Sequence, residues 1–219
     1  MTNRIVCLSF ALFACAHTAS AQGVTLSESD PKRWDATVTI GWLGGDKEDL
    51  TGRWNSWYDS FATSVDVGRY WTTHFKTEAG AVLTTDGTVY AQEQVIVPGR
   101  PTPIFFSREY RFGVRALNLS AVYQLFENEW VHPFVAGGVH LGWERQRVET
   151  PFVPPFAGGP LPPPPPDRSG TVFEAQPFLS GGVKFYVNER GFIRTDLSAA
   201  FDRRGATRMW WRVGAGVDF

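Results

Sequence analysis

The feature that most constrains this chain is a two-residue alternation of apolar and polar side chains, repeated in one segment after another beyond residue 33. In 34–43, Trp34, Ala36, Val38, Ile40 and Trp42 fall on one face, while Asp35, Thr37, Thr39 and Gly41 fall on the other. A period of two belongs to a β-strand, whose successive side chains point to opposite sides. The same pattern marks 61–71, 74–85, 105–126, 131–148, 172–187, 192–202 and 208–219, which makes eight strands. In 105–126 the apolar face carries Tyr110, Phe112 and Val114, then Leu117, Leu119, Ala121, Tyr123 and Leu125, so the phase slips near Ala116 and Leu117 and a β-bulge is expected there. Past the opening segment no run of about 18 consecutive apolar residues occurs, so no membrane helix is expected.

The opening segment stands apart. Arg4 precedes an apolar run over 5–16, and Ala19-Ser20-Ala21 supplies small residues for cleavage. This is the pattern of a secretory signal, expected over 1–21 with the mature chain starting at Gln22. The run is too short to span a bilayer as a helix. Lipidation at Cys15 is the alternative, although bulky Phe13 fits poorly just before a modified cysteine. Both cysteines, Cys7 and Cys15, lie inside the signal, so the exported chain is expected to carry no disulfide or thiol. A polar lead-in over 22–33 then precedes a barrel domain over 34–219. The formal net charge of −1 gives no electrostatic case for nucleic acid.

Connection lengths alternate as well. Short links are expected near 72–73, 127–130 and 188–191, and long ones over 44–60, 86–104 and 149–171. Only the last link, 203–207, is short where a long one is due. Short turns at one end and long loops at the other are expected of an even-stranded barrel whose termini share one side of a membrane. The 149–171 loop holds nine of the 15 prolines, including Pro162 to Pro166. Such a run lacks backbone donors and prefers a stiff extended form. It reads as a spacer or as a surface-binding arm.

The distribution of residues decides which way the faces point. Gly41, Gly68, Gly80, Gly113, Gly138, Gly142, Gly182, Gly214 and Gly216 share the polar face with charges of both signs. A narrow eight-stranded lumen needs small residues to make room for long ones. The apolar face carries aliphatic residues in mid-strand and aromatic ones near the ends, as a bilayer with two interfaces selects. A soluble barrel would put its apolar face inward, so the reading here is an eight-stranded antiparallel up-and-down transmembrane β-barrel. Closure also removes edges that lipid could not satisfy.

The final stretch ends in Trp211, Val213, Val217 and Phe219 at alternate positions. It resembles the terminal strand of bacterial outer-membrane barrels. The Gly-Gly segments of 132–142 and 177–186 are similar to strands of small barrels of the OmpA and OmpX type. The resemblance implies an outer-membrane location, surrounding lipid and lipopolysaccharide, and barrel-assembly machinery that reads the terminal strand during insertion. Physically, such reading would be one strand edge adding to another sheet.

Catalytic chemistry finds no footing. His140 and Glu144 share a face but lie roughly 13 Å apart at strand spacing, too far to hold one ion. No phosphate loop or nucleophile elbow occurs, and no catalytic, cofactor or metal residues are expected. The lumenal charges, among them Glu109, Arg111 and Arg115, are expected to form a paired network, because buried charge needs a partner. The expected core of that network is a chain Lys184–Asp196–Arg212, with Arg194 beside Asp218. The functional expectation is a non-enzymatic barrel serving envelope structure or surface interaction through its outer loops. A narrow channel for small solutes is the first alternative, and a lipid-A-modifying enzyme the second.

Overall fold

The computed structural model describes residues 34–47, 57–95, 104–126, 130–149, 166–203 and 205–219. The expected signal, the Cys15 alternative, the lead-in and the proline-rich stretch up to Pro165 lie outside the described residues. Among the described residues the secondary structure is strand throughout: β1 (Trp34–Asp46), β2 (Trp57–Tyr70), β3 (Phe75–Thr84), β4 (Gly87–Val95), β5 (Ile104–Gln124), β6 (Val131–Glu149), β7 (Arg168–Tyr186), β8 (Gly191–Asp202) and β9 (Gly205–Asp218).

These strands form one closed antiparallel barrel. Apart from β3 and β4, which do not pair with each other, each pairs with its neighbours in sequence, and β1 returns to pair with β9. Trp34 and Phe219 seal that seam by exchanging backbone hydrogen bonds of 3.0 and 2.8 Å. The ninth segment is not an extra stave. Both β3 and β4 pair with β5, β3 along its second half and β4 along its first. The barrel therefore has eight staves, one of them interrupted.

That interruption corrects the expected bulge. Leu83 faces Arg115 and Gly87 faces Phe112, so residues 84–86 oppose only 113 and 114. The extra residue sits between β3 and β4, while β5 keeps one unbroken register against β6. The Thr84 hydroxyl repairs part of the lost ladder by accepting a 2.8 Å hydrogen bond from the Val114 amide. On β5 the even residues point inward along the whole strand, including Phe112, Val114 and Ala116. Glu109, Arg111, Gly113 and Arg115 therefore lie on the outer face rather than in the lumen, Arg115 exposed and the Arg111 side chain 40% so.

The expected long loops are also partly strand. β1 and β2 pair as far as Asp46 and Trp57, β4 occupies much of 86–104, and β6 pairs with β7 as far as Val148 and Arg168. With 21, 19 and 19 residues, β5, β6 and β7 outreach β8 and β9, with 12 and 14. One side of the wall therefore stands higher than the other at the end away from the termini, here termed the far end.

Candidate functional site

The inward residues stack in layers, which β9 samples in turn: Arg212, then Trp210, then Arg208, moving toward the far end. All three are buried. Two ionic layers enclose an apolar one.

The layer toward the termini is a chain of alternating charge. Asp218 lies 3.8 Å from Lys184, which also donates to Asp35. Asp35 accepts a second ammonium, Lys76, at 2.5 Å, and Lys76 reaches Glu78 at 2.7 Å. Arg194 grips both Glu78 oxygens, at 2.9 and 2.7 Å, and donates to Asp196 at 2.9 Å. Asp196 accepts two bonds from Arg212, 3.0 and 3.2 Å, and Arg212 ends the chain on Asp66 at 3.2 Å and Ser64 at 3.0 Å. No two like charges are adjacent in this sequence of contacts, and it links β1, β2, β3, β7, β8 and β9. Buried ions are tolerated in such an arrangement because each desolvated charge meets an opposite one.

Of the pairs expected from sequence, Asp196 and Arg212 are brought together, whereas Lys184 binds Asp35 instead of Asp196. Arg194 turns to Glu78 and Asp196 instead of Asp218. Two causes operate. A register shift between Ala200 and Phe201 moves β8 against β9, so that Asp196 faces Arg212 directly and Arg194 faces Gly214. The lumen is also narrow enough for β3 and β1 to supply partners from the opposite wall. Asp35, Asp66 and Glu78 were legible as polar-face residues; only the cross-lumen contacts were not.

Above this chain, Leu43, Tyr58, Val82, Phe112, Val114, Phe178 and Trp210 form a buried apolar layer. Tyr58 stacks on Phe112, ring centroids 5.1 Å apart. His140 borders the layer, with Nδ1 2.7 Å from the Asn118 side chain and its ring 5.3 Å from Trp210. Between this layer and the ionic chain lies a small polar cavity of about 10 Å³, lined by Asp66, Asn118, Ser180 and Arg212 among others. That is about the room one water requires.

The second ionic layer centres on Glu144, which is fully buried. Lys47 donates to it at 2.6 Å, Arg208 at 2.8 Å and the Tyr58 hydroxyl at 3.2 Å. Arg208 also reaches Glu174 at 2.9 Å. Every level of the interior is thus occupied by side chains bonded or packed across the lumen.

The outer face has the opposite character. Val38, Ile40, Val65, Leu117, Leu119, Val139, Leu179, Ile193 and Leu197 are exposed in mid-strand. Aromatic residues flank them at both ends. Toward the termini these are Trp34, Trp71, Phe75 and Trp130, with Arg69 held over Trp34 and Trp71 at 5.4 and 4.4 Å. Toward the far end, Trp42 stacks on Trp211 at 5.8 Å and meets Phe61 edge-on, while Trp143 contacts Phe173. Trp34 and Trp42 are eight residues apart on one strand, which is roughly 26 Å along it and roughly 20 Å along the axis at a tilt of about 40°. The residues expected to signal assembly lie on this outer face of β9: Trp211 and Val217 are exposed there, Val213 is half-buried, and Phe219 continues beyond the strand.

No protein-family model matches the chain, and no curated protein does. Among solved structures it is similar to the N-terminal β-barrel domain of Pseudomonas aeruginosa OprF, at 14% identity over 86% of this chain and 98% of that one, with a TM-score of 0.49. It is also similar to Ail, the attachment invasion locus protein of Yersinia pestis, at 13% identity over 85% and 99%, with a TM-score of 0.48. The outer membrane protein OprG from Pseudomonas aeruginosa is similar at 11% identity over 86% and 97%, with a TM-score of 0.47.

Proposed function

We propose that this chain is an integral outer-membrane barrel with a blocked lumen, a non-enzymatic envelope protein that acts through its far-end rim. One observation carries the reading: the barrel is apolar outside and ionic inside. In water an outer face of this kind would leave an extended apolar surface exposed, far beyond the patches a soluble monomer carries. In a bilayer the same face is solvated by acyl chains, and the two aromatic bands sit where the headgroups begin. Strands cross lipid only as a closed barrel, because every backbone polar group must be paired.

The blocked lumen argues against the channel reading. A conducting filter favours charges of one sign around a water-filled path. Here the charges alternate and neutralise one another, and an apolar layer separates the two ionic ones. Burying that chain costs desolvation that only complete pairing offsets, which favours a rigid wall over a gate.

Cysteine labelling tests the placement. Single cysteines at Ser169, on the tall side of the far end, and at Asn188, in the turn between β7 and β8, are expected to differ in intact cells. An impermeant thiol reagent should reach Ser169→Cys and not Asn188→Cys until the outer membrane is opened. Labelling of both in a soluble extract would overturn the membrane reading, and labelling of Asn188→Cys alone would invert the orientation.

A further inference from the structure

Four arginines face outward just above the apolar belt on the tall side of the barrel, where a lipid-facing wall would carry uncharged residues. Their rows follow from the register. Arg115 lies opposite Trp143 on β6 and Leu83 on β3, within the aromatic band. Arg145 lies one row higher, opposite Gly113, and Arg111 faces Arg147 in the row above that. Glu109 and Glu149 face each other in the next row, above which β5 continues on this face with Ser107 and the exposed Phe105. The order along the wall is therefore apolar, aromatic with one arginine, arginine, arginine pair, carboxylate pair.

Three of the cations have a carboxylate partner, in the row above for Arg111 and Arg147 and at the same level for Arg145. Arg111 bonds Glu109 at 2.7 Å, Arg147 bonds Glu149 at 2.5 Å, and Arg145 bonds Asp86 in the bulge at 3.1 Å. The arginine side of each pair is open, so the pairs are held weakly enough to exchange for a better anion. Arg115 is exposed and, among the described residues, has no carboxylate within 4 Å. Its neighbours along and across the strands, Leu117, Leu83 and Trp143, are apolar. A lone cation at the belt edge is satisfied if its anion belongs to the lipid. On the other half of the barrel, the row above Trp42 and Trp211 holds Gly44, Asp59 and Met209, with no arginine. Among the described residues, the outward rows of arginine lie on β5 and β6.

From this arrangement we infer a binding site for a phosphorylated glycolipid of the outer leaflet on the outer face of β5 and β6. Arg115 and Arg145 take a phosphate, Trp143 offers a ring face to the sugar, and acyl chains lie along Leu117, Leu119 and Val139 below. Guanidinium suits this role because it binds phosphate oxygens in pairs. The inference rests on the membrane placement proposed above. It favours a lipid over a soluble polyanion because the unpaired cation lies inside the aromatic band, while the Glu109 and Glu149 carboxylates stand between the arginines and the far end.

The test uses the full chain refolded in phosphatidylcholine vesicles, with bisphosphorylated lipid A and its dephosphorylated form as probes. Binding is read by native mass spectrometry after transfer to detergent. The wild type should prefer the bisphosphorylated lipid, and the double variant Arg115→Gln/Arg145→Gln should lose about tenfold of that affinity or more, since each lost charge-assisted contact is worth at least about that much. The variant should still insert and resist protease as the wild type does, because neither side chain enters the lumen. Equal binding by variant and wild type would overturn the site, as would equal binding of both lipid forms. Tighter binding of a sulfated polysaccharide than of the lipid would overturn it in favour of a water-side partner. Failure of the wild type to insert into vesicles would instead count against the membrane placement itself.

Discussion

Asp196 on β8 stands directly opposite Arg212 on β9, and two hydrogen bonds of 3.0 and 3.2 Å join their side chains inside the barrel. Both residues are buried, and Asp196 is shared with Arg194. Replacing Asp196 with alanine leaves two guanidinium groups facing each other, which should cost about 3–5 kcal/mol. Arg212→Ala should cost less than the sum of its contacts, because Asp196 retains Arg194. Urea unfolding from vesicles of each single variant and of the double variant measures the coupling. Strictly additive losses would mean that the two residues do not interact and that the register is wrong.

Tight closure makes a second, steric demand. A Cβ built at Gly41 would lie 1.9 Å from the Trp211 carbonyl oxygen on the neighbouring strand, so β1 and β9 would have to separate there. Gly41→Ala should lose about 1–3 kcal/mol, in the range of an overpacked core. Gly170, near the far end of β7, meets nothing within 4 Å and serves as the control. If both alanine variants unfold at the wild-type urea concentration, the close approach of β1 and β9 is not real.

The seam between first and last strands depends on its end. Phe219 and Trp34 exchange two backbone hydrogen bonds, and the Phe219 ring is exposed on the outer face. Deleting Phe219 removes both bonds where β1 and β9 close. Refolding into vesicles, followed by protease resistance, should slow relative to wild type, while Phe219→Leu should stay close to it. Unchanged kinetics in the deletion would show that closure does not depend on this pair.

The strands were legible because a lipid-facing wall imposes apolar residues at every second position, and Val38, Val65, Leu119 and Leu197 obey that rule. The mistake on β5 has the same root. Phe112 and Val114 are apolar because they fill the lumen, and sequence alone does not separate an apolar residue that meets lipid from one that meets Tyr58. Reading them as outward forced a bulge into β5, when the extra residue lies across from it at 84–86. The ionic chain was legible in its members but only partly in its contacts. Asp35 reaches Lys184 at a sequence separation of 149 residues, and Arg194 reaches Glu78 at 116. Such pairings follow from barrel closure and a register shift at Ala200 and Phe201, and neither leaves a local mark in the sequence.

A membrane barrel whose interior is shut by paired charges and an apolar layer should not conduct ions. Single-channel recording of the purified full chain in a planar bilayer tests it most directly, once insertion has been verified by protease protection in the same lipid. Inserted protein should show no resolved conductance steps, in low salt and in high. Reproducible steps that scale with salt concentration would contradict it, because ions would then be crossing the layer that holds Tyr58, Phe112 and Trp210.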